Sequence, residues 1–294
     1  MCGIVGIYLK SKKFEGSLGN MLSDMLINMG SRGPDSAGFA IYKEDEEENF
    51  KYSLCLNGAN YEKFKKGIEN KITISNIEKN SDHVIMKSQQ HPRDVLKMLN
   101  KNFKEISIVG YGKSIEIFKQ VGEPKDVVKR FNLKDFSGTH GIGHTRMATE
   151  SAITTDGSHP YSTGEDECLV HNGSLSNHNN LRRKLKKKGI NFNSENDTEV
   201  AAGYISSNLI NNKSLNDTLK DGLKDLDGFY TFITGTRKGF AVLRDEIACK
   251  PAVIAETDDY VAIASEFQAM AHLPNVNNAK IFEPEPGIVY SWGN

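Results

Sequence analysis

The feature that most constrains this chain is a cysteine at position 2 that leads at once into a short apolar run, Cys2-Gly3-Ile4-Val5-Gly6-Ile7-Tyr8-Leu9. Such a run, rich in β-branched residues, reads as a buried strand. Methionine aminopeptidase removes Met1 when the second residue is small, and Cys2 would then carry a free α-amino group beside its thiol. An α-amine titrates at about 7.7–8.0, so a useful fraction is neutral near pH 7 and can act as a base. A thiolate is intrinsically a strong nucleophile, suited to attack on an unactivated amide. Gly3 lets the backbone approach closely. Taken alone, a Met-Cys start is more often an incidental residue at the head of a strand. The rest of the chain overturns that reading.

Composition excludes several classes. A chain of 294 residues is long enough for one large domain or two modest ones with a substantial core. Hydrophobic residues at 38% and charged residues at 26% fit a globular protein. A net charge of -1 favours neither nucleic acid nor an anionic membrane as a partner. No apolar run approaches the roughly 20 residues that span a bilayer, and the start has no secretory signal. The expected setting is cytoplasmic. Cys2, Cys55, Cys168 and Cys249 have no repeating spacing, so free thiols are expected rather than a disulfide framework.

Leu18, Met21, Leu22, Met25, Leu26 and Met29 recur at helical spacing, with Gly30 as a stop. The stretch 31–38 (SRGPDSAG) is a turn-rich loop before a strand over 39–42. The acidic residues 44–48 read as a solvated turn. Residues from about 51 to 136 are more polar and richer in lysine. They predict strands over 83–86 and 106–109 and helices over 94–100 and 124–131, and read as an inserted subdomain at about 44–137. Helices are expected over 180–188, 198–210 and 215–226. Strands are expected over 229–234, 240–243, 252–255 and 260–264, with hairpin connections at 235–239 and 258–259 and a final hairpin around 283–287. This segregation of strands and helices predicts an antiparallel α+β layered fold.

An acyl-transfer site needs donors for a developing oxyanion, and Asn172-Gly173 could supply a side-chain amide and a backbone N–H. An amino-acid substrate brings an α-carboxylate and an α-ammonium, for which Arg146 and Asp197 are candidates. Alone, Asn-Gly is usually a hairpin turn and Asp-Thr-Glu usually a helix start. Together they are specific. In order along the chain stand Cys2-Gly3-Ile4, Arg32-Gly33-Pro34-Asp35-Ser36-Ala37-Gly38, Gly143-His144-Thr145-Arg146, His159-Pro160, His171-Asn172-Gly173 and Asp197-Thr198-Glu199. Arg244-Asp245, Lys250-Pro251 and Ala264-Ser265-Glu266 follow. The set resembles the class II glutamine amidotransferases, an N-terminal-nucleophile family.

The resemblance implies a four-layer αββα sandwich with two stacked, mainly antiparallel sheets, spanning residues 1–294 apart from the insert. It implies Cys2 as nucleophile, its own amine as base, and Asn172 and Gly173 as oxyanion hole. Arg146 and Asp197 would grip the amino-acid end of glutamine, with Thr149 nearby and Arg32 supporting the site. This chain departs from many relatives at Met147 and at Glu150-Ser151. The run from Thr145 to Ser151 and on to Pro160 is similar to a narrower group, stand-alone amidotransferase subunits of glutamate synthase and N-methylglutamate synthase type complexes. That likeness implies that ammonia passes to a separate FMN-dependent synthase subunit, with a glycine-rich repeat subunit as further partner and no cofactor in this chain. Other readings are a weakly catalytic glutamine-sensing or structural subunit, or a free-standing amidohydrolase.

Cys168-x-x-His171 with His159 and His178 lacks a second paired ligand spacing, so no metal is expected. The basic run Arg182-Arg183-Lys184 and Lys186-Lys187-Lys188 sits late in a helix, where cations suit the macrodipole, and reads as a solvated face rather than a nucleic-acid site.

Overall fold

A computed structural model describes residues 2–148 and 152–293. The opening run forms β1 (Gly3–Leu9), and all but one of its residues are buried. The 3.6-residue spacing that follows becomes α1 (Leu18–Asn28), which buries Leu18, Met21, Leu22, Met25 and Leu26 along one face. Strand β2 (Ser36–Tyr42) completes this first unit.

The chain then enters the insert: β3 (Phe50–Cys55), α2 (Tyr61–Glu69), β4 (Asn76–Asn80), β5 (His83–Ser88), α3 (Pro92–Asn102) and β6 (Ser107–Gly112). These strands make a sheet of their own in the order β4-β5-β3-β6. Tyr52, Leu54, Phe64, Ile68, Met86, Val95 and Leu99 form its separate core. Helix α2 is capped by the Asn60 side chain, which accepts from the Lys63 amide, and α3 opens on Pro92.

The main fold resumes with β7 (Ile115–Val121), α4 (Pro124–Arg130) and β8 (His140–Arg146), then β9 (Cys168–Leu175), α5 (His178–Lys187), α6 (Asp197–Ile210) and α7 (Leu215–Asp225). It ends with β10 (Gly228–Gly235), β11 (Phe240–Arg244), β12 (Val253–Glu256), β13 (Tyr260–Ala264), β14 (Lys280–Phe282) and β15 (Val289–Trp292). One sheet has the order β14-β12-β13-β1-β8-β2-β7 and the other β15-β11-β10-β9. Every strand pairing in both is antiparallel.

Between the two sheets lie Ile4, Ala40, Ile117, Ile142, Val170, Ile233, Val242 and Ile263. On the outer face of the larger sheet, α1 and α4 bury Met21, Met25, Val127 and Val128 against Val5, Ile7 and Phe39. On the outer face of the smaller sheet, Val200, Ala201 and Ile205 of α6 and Leu215 and Leu219 of α7 pack on Tyr230, Phe232 and Leu243. The four layers are helix, sheet, sheet, helix: the αββα sandwich of N-terminal-nucleophile hydrolases.

Two expectations change. The stretch 44–137 divides, because the separate sheet ends at Gly112 whereas β7 pairs with β2 in the main sheet through Ser36–Val121 to Tyr42–Ile115. The turn between β6 and β7 is short, so polarity gave no boundary there. The stretch 283–287 is not a hairpin. Strand β14 pairs with β12 in the larger sheet and β15 with β11 in the smaller one. The proline-rich link crosses the edge of the sandwich, tied down where the Gly287 amide donates to the Arg244 carbonyl at 3.0 Å.

Glu167, just before β9, is 1% exposed, and its Oε2 accepts from the Ser206 hydroxyl at 2.7 Å. Burial pushes this carboxyl up to about 8. The folded protein therefore keeps a proton that the unfolded chain releases in the ordinary carboxylate range. Stability from this group is intact below that range and is lost as pH rises towards about 8. Glu167→Gln is expected to abolish that loss: its melting temperature should match or trail wild type near pH 5 and exceed it by several degrees at about pH 8. Thermal denaturation across this range is the check.

Candidate functional site

Cys2 is half-buried at the head of β1, and its Sγ faces the Met147 carbonyl oxygen at 3.8 Å. Three flanking motifs fix this end of the strand. Arg32, at the end of a 3-10 turn that follows α1, donates from Nε to the Cys2 carbonyl at 3.1 Å and pairs through Nη1 with the Glu266 carboxylate. Ser265 exchanges two bonds with Ile4: its amide donates to the Ile4 carbonyl, and its hydroxyl accepts from the Ile4 amide, both at 3.0 Å. Asp35 donates its amide to the Arg146 carbonyl at 3.1 Å and accepts from the Ala148 amide at 2.8 Å. Gly33 has to be glycine, since a Cβ there would fall 2.3 Å from the carbonyl carbon of Thr145. The Arg32–Gly38 and Ala264–Glu266 motifs are thus clamps on the Cys2 end of β1 and on the end of β8.

Arg146 is 5% exposed and donates from Nη1 to the Ala152 carbonyl at 3.3 Å. Across the sandwich, His144 donates from Nε2 to the His171 carbonyl at 3.0 Å. This bond brings β9, with Asn172 and Gly173, to the Cys2 end of the molecule. Asn172 is 2% exposed, and its Nδ2 has no hydrogen-bond partner among the described residues. Gly173 has φ +149°, and a Cβ there would meet the Phe229 carbonyl oxygen at 2.0 Å, so only glycine fits.

Asp197 is the first residue of α6, capped by Asn196, whose side chain accepts from the Thr198 amide. Asp197 Oδ2 accepts from the Leu175 amide at 2.8 Å, and Oδ1 lies 3.9 Å from His171 Nδ1. The structure therefore gathers Cys2, Arg146 and, from the turn after α1, Arg32 at one end of the larger sheet, and Asn172, Gly173 and, from the start of α6, Asp197 at the end of β9. Thr149, Glu150 and Ser151 lie outside the described residues.

Three histidines sit behind this site. The His144 and His159 rings stack at 3.7 Å, and His171 Nδ1 bonds with the Thr198 hydroxyl at 2.8 Å. Burial pushes His144 down to about 3 and His159 well below its ordinary value, and lowers His171 as well. All three are neutral near pH 7 and are poor bases, so they serve as packing and hydrogen-bonding groups.

Two residues lay outside the sequence reading. Arg182, read as part of a solvated face, is buried, donates to the Ser194 and Asn196 carbonyls and stacks over Phe192. It braces the loop that caps α6. Lys119, on β7, is 5% exposed and donates to the Ser158 carbonyl at 2.8 Å. The alternation of β7 could have flagged a lysine on its inward face. Among the described residues, Cys55, Asp82 and His83 bring possible metal-ligating atoms within 4.8 Å of one another. Their atoms are engaged locally: the Cys55 thiol bonds to Asn57 Oδ1, and Asp82 bonds to His83 and Gln120.

The sequence profile of the glutamine amidotransferase domain family matches residues 144–272. The glutamine amidotransferase-like protein GlxB of Rhizobium meliloti (strain 1021) is 50% identical over 299 residues, covering 99% of this chain and 98% of that one. The chain belongs to the class II glutamine amidotransferases, and is an enzyme of that family. An amidophosphoribosyltransferase of Methanocaldococcus jannaschii is 30% identical over 188 residues, 61% of this chain and 40% of the relative. The solved glutamine phosphoribosylpyrophosphate amidotransferase from B. subtilis, complexed with ADP and GMP, superposes with TM-score 0.64 at 20% identity. It covers 99% of this chain but 47% of that one, a likeness of fold alone.

Removing the Arg32 guanidinium leaves the Glu266 carboxylate and the Cys2 carbonyl without it. Arg32→Met is expected to lower unfolding stability by about 2–4 kcal/mol. Arg32→Lys should recover less than half, because one ammonium cannot span both acceptors. Denaturant titration of the two variants measures this.

Proposed function

We propose that this enzyme hydrolyses glutamine to glutamate and ammonia through Cys2, and that the ammonia is used by a separate synthase subunit. The observation that carries the reading is the Asn172 amide nitrogen: a buried donor with no partner among the described residues, next to a glycine in a conformation only glycine tolerates. Leaving such a donor unpaired costs about 1–3 kcal/mol, which favours an acceptor that arrives with the substrate.

In this reading the mature Cys2 amine takes the thiol proton, and the sulfur attacks the side-chain amide carbon of glutamine. The oxyanion that forms accepts from Asn172 Nδ2 and the Gly173 N–H. The C–N bond breaks as the amine returns its proton to the leaving nitrogen, giving ammonia and a γ-glutamyl thioester. Water then attacks the thioester, the sulfur leaves and regains a proton, and glutamate is released. The neutral, weakly basic His144, His159 and His171 support the amine as the base. Arg146 meets the α-carboxylate and Asp197 the α-ammonium; Thr149, which the resemblance also implies in binding, lies outside the described residues.

The acceptor chemistry is assigned to another polypeptide on the resemblance to stand-alone amidotransferase subunits. We assign FMN to that synthase, with a glycine-rich repeat subunit as further partner, on the resemblance of the 145–160 run. A working free thiol suits a reducing compartment, and a cytoplasmic setting follows.

Intact-mass analysis with diazo-oxo-norleucine, a glutamine-like electrophile, tests the nucleophile. A chain lacking Met1 with one adduct on Cys2, absent in Cys2→Ala, is expected. A processed chain that stays unlabelled would sink the reading. Asn172→Ala is expected to lower the kcat for glutamine hydrolysis by about 100- to 1000-fold with little change in KM. Steady-state ammonia release is the measurement.

A further inference from the structure

Arg146 does not stand alone at the end of β8. Its Nη1 donates to the Ala152 carbonyl at 3.3 Å, and the backbone at Gly157 lies close enough that a Cβ there would be 3.5 Å from the same nitrogen. Residues 154–158 form a self-bonded turn. The Gly157 amide donates to Thr154 Oγ1 at 3.0 Å, the Ser158 amide to the Thr155 carbonyl at 3.1 Å, and the Ser158 hydroxyl to the Thr154 carbonyl at 2.8 Å.

The turn is fastened from outside by side chains that no catalytic motif contains. Thr155 donates its hydroxyl to Gln120 Oε1 at 2.6 Å, and Gln120 Nε2 in turn donates to Asp82 of the insert. Ser107, at the start of β6 in the insert, donates to Asp156 Oδ2 at 3.1 Å and accepts from Asn57 Nδ2 at 2.7 Å. The Lys119 ammonium donates to the Ser158 carbonyl at 2.8 Å and to those of Asp156 and Pro160 at 3.4 Å, over the Tyr161 ring at 4.6 Å. Only Thr154 of the turn is exposed; residues 155–157 are half-buried and Ser158 is buried, so these anchors hold the turn in one place against the sandwich. A guanidinium that takes a carboxylate through two parallel bonds must be held to within about 0.5 Å and 10–20°.

We propose that Ser107, Lys119 and Gln120 are positioning residues for glutamine: they hold the 154–158 turn against Arg146, and through Ser107 and Asp82 the inserted subdomain sets the affinity for the amino-acid end of the substrate. The proposal rests on the glutaminase reading above. It gives the insert a part in substrate binding without a ligand of its own. Because the anchors act on the grip and not on the reacting amide, their loss raises KM and leaves kcat nearly unchanged.

The test compares wild type with Ser107→Ala, Gln120→Ala, the double variant and Ser107→Thr. The readouts are glutamine KM and kcat, the half-saturating concentration of diazo-oxo-norleucine for labelling Cys2, and the alkylation rate of Cys2 by iodoacetamide. Iodoacetamide has no α-carboxylate for Arg146 to hold. Each alanine variant is expected to raise KM and the half-saturating concentration by about 3- to 10-fold, and the double variant by more, with kcat and alkylation within about 2-fold of wild type. Ser107→Thr, which keeps the hydroxyl, should restore KM. An unchanged KM in the double variant overturns the proposal, and so does a fall in alkylation parallel to the loss of turnover, which marks general damage to the fold. Wild type that neither turns over glutamine nor takes the label would remove the glutaminase reading itself, an outcome separate from unchanged KM in active variants. Lys119→Met, which strips three carbonyls of a buried donor, serves as the stronger variant if it folds; the serine and glutamine variants decide the matter without it.

Discussion

Strand β1 has a hydrogen-bonded neighbour on each edge, β13 through Val5–Ala264 to Leu9–Tyr260 and β8 through Gly3–Thr145 to Tyr8–His140. It also has packed layers on both faces: Ile4 turns into the space between the sheets, and Val5 and Ile7 turn towards the outer helices. A strand enclosed in this way cannot slip by one residue without exchanging its two apolar faces and breaking both ladders. The position of Cys2 follows from that register. With β1 locked, the residue before Gly3 comes out where β8 ends at Arg146 and where the Arg32 guanidinium can reach a carbonyl.

The second sheet contributes the other half of the site through few contacts. The His144–His171 bond joins β8 to β9, and the Asp197–Leu175 bond joins the start of α6 to the end of β9. Neutral histidines suit this layer, because desolvation in a dry interior disfavours a charged imidazole, and at His171 burial outweighs the nearby Asp197 carboxylate. Their low basicity and the unpaired Asn172 amide point the same way. The interior is arranged to hold polar groups still, and the half-buried Cys2 lies at the end of β1.

The insert is a self-contained layer with its own apolar core, yet it does not hang free. The Ile117 amide donates to Ser53 Oγ at 2.9 Å, and Asp166 accepts from the amides of Lys113, Ser114 and Ile115 at 2.8–3.0 Å. Asp166 therefore fastens the return from insert to sandwich onto the chain segment that leads into β9. The β8–β9 connection is gripped near residues 155–158 and again at 166, so the insert and this connection share one set of supports.

Much of this was readable in one dimension. The apolar run at 3–9, the helical spacing of Leu18 to Met29, and the helices over 180–188, 198–210 and 215–226 all rest on local periodicity, and correspond to β1, α1, α5, α6 and α7. The ordered motifs identified the family, since glycines under steric pressure and charged groups bound to backbone leave few alternatives at their positions. Strands β3, β4, β7, β8 and β9 and helix α2 were not read: β4 and α2 have few apolar residues, Lys51 in β3 and Glu116 and Lys119 in β7 interrupt the apolar pattern, and β8 and β9 carry the polar motifs. The sequence by itself therefore determined the family, the fold class and the residues that could carry the chemistry. The tertiary structure alone decided that β7 leaves the insert for the main sheet, that 283–287 crosses between sheets, and that Lys119, Gln120 and Ser107 converge on residues 155–160. Those outcomes depend on contacts between segments tens of residues apart, which leave no periodic trace in the chain.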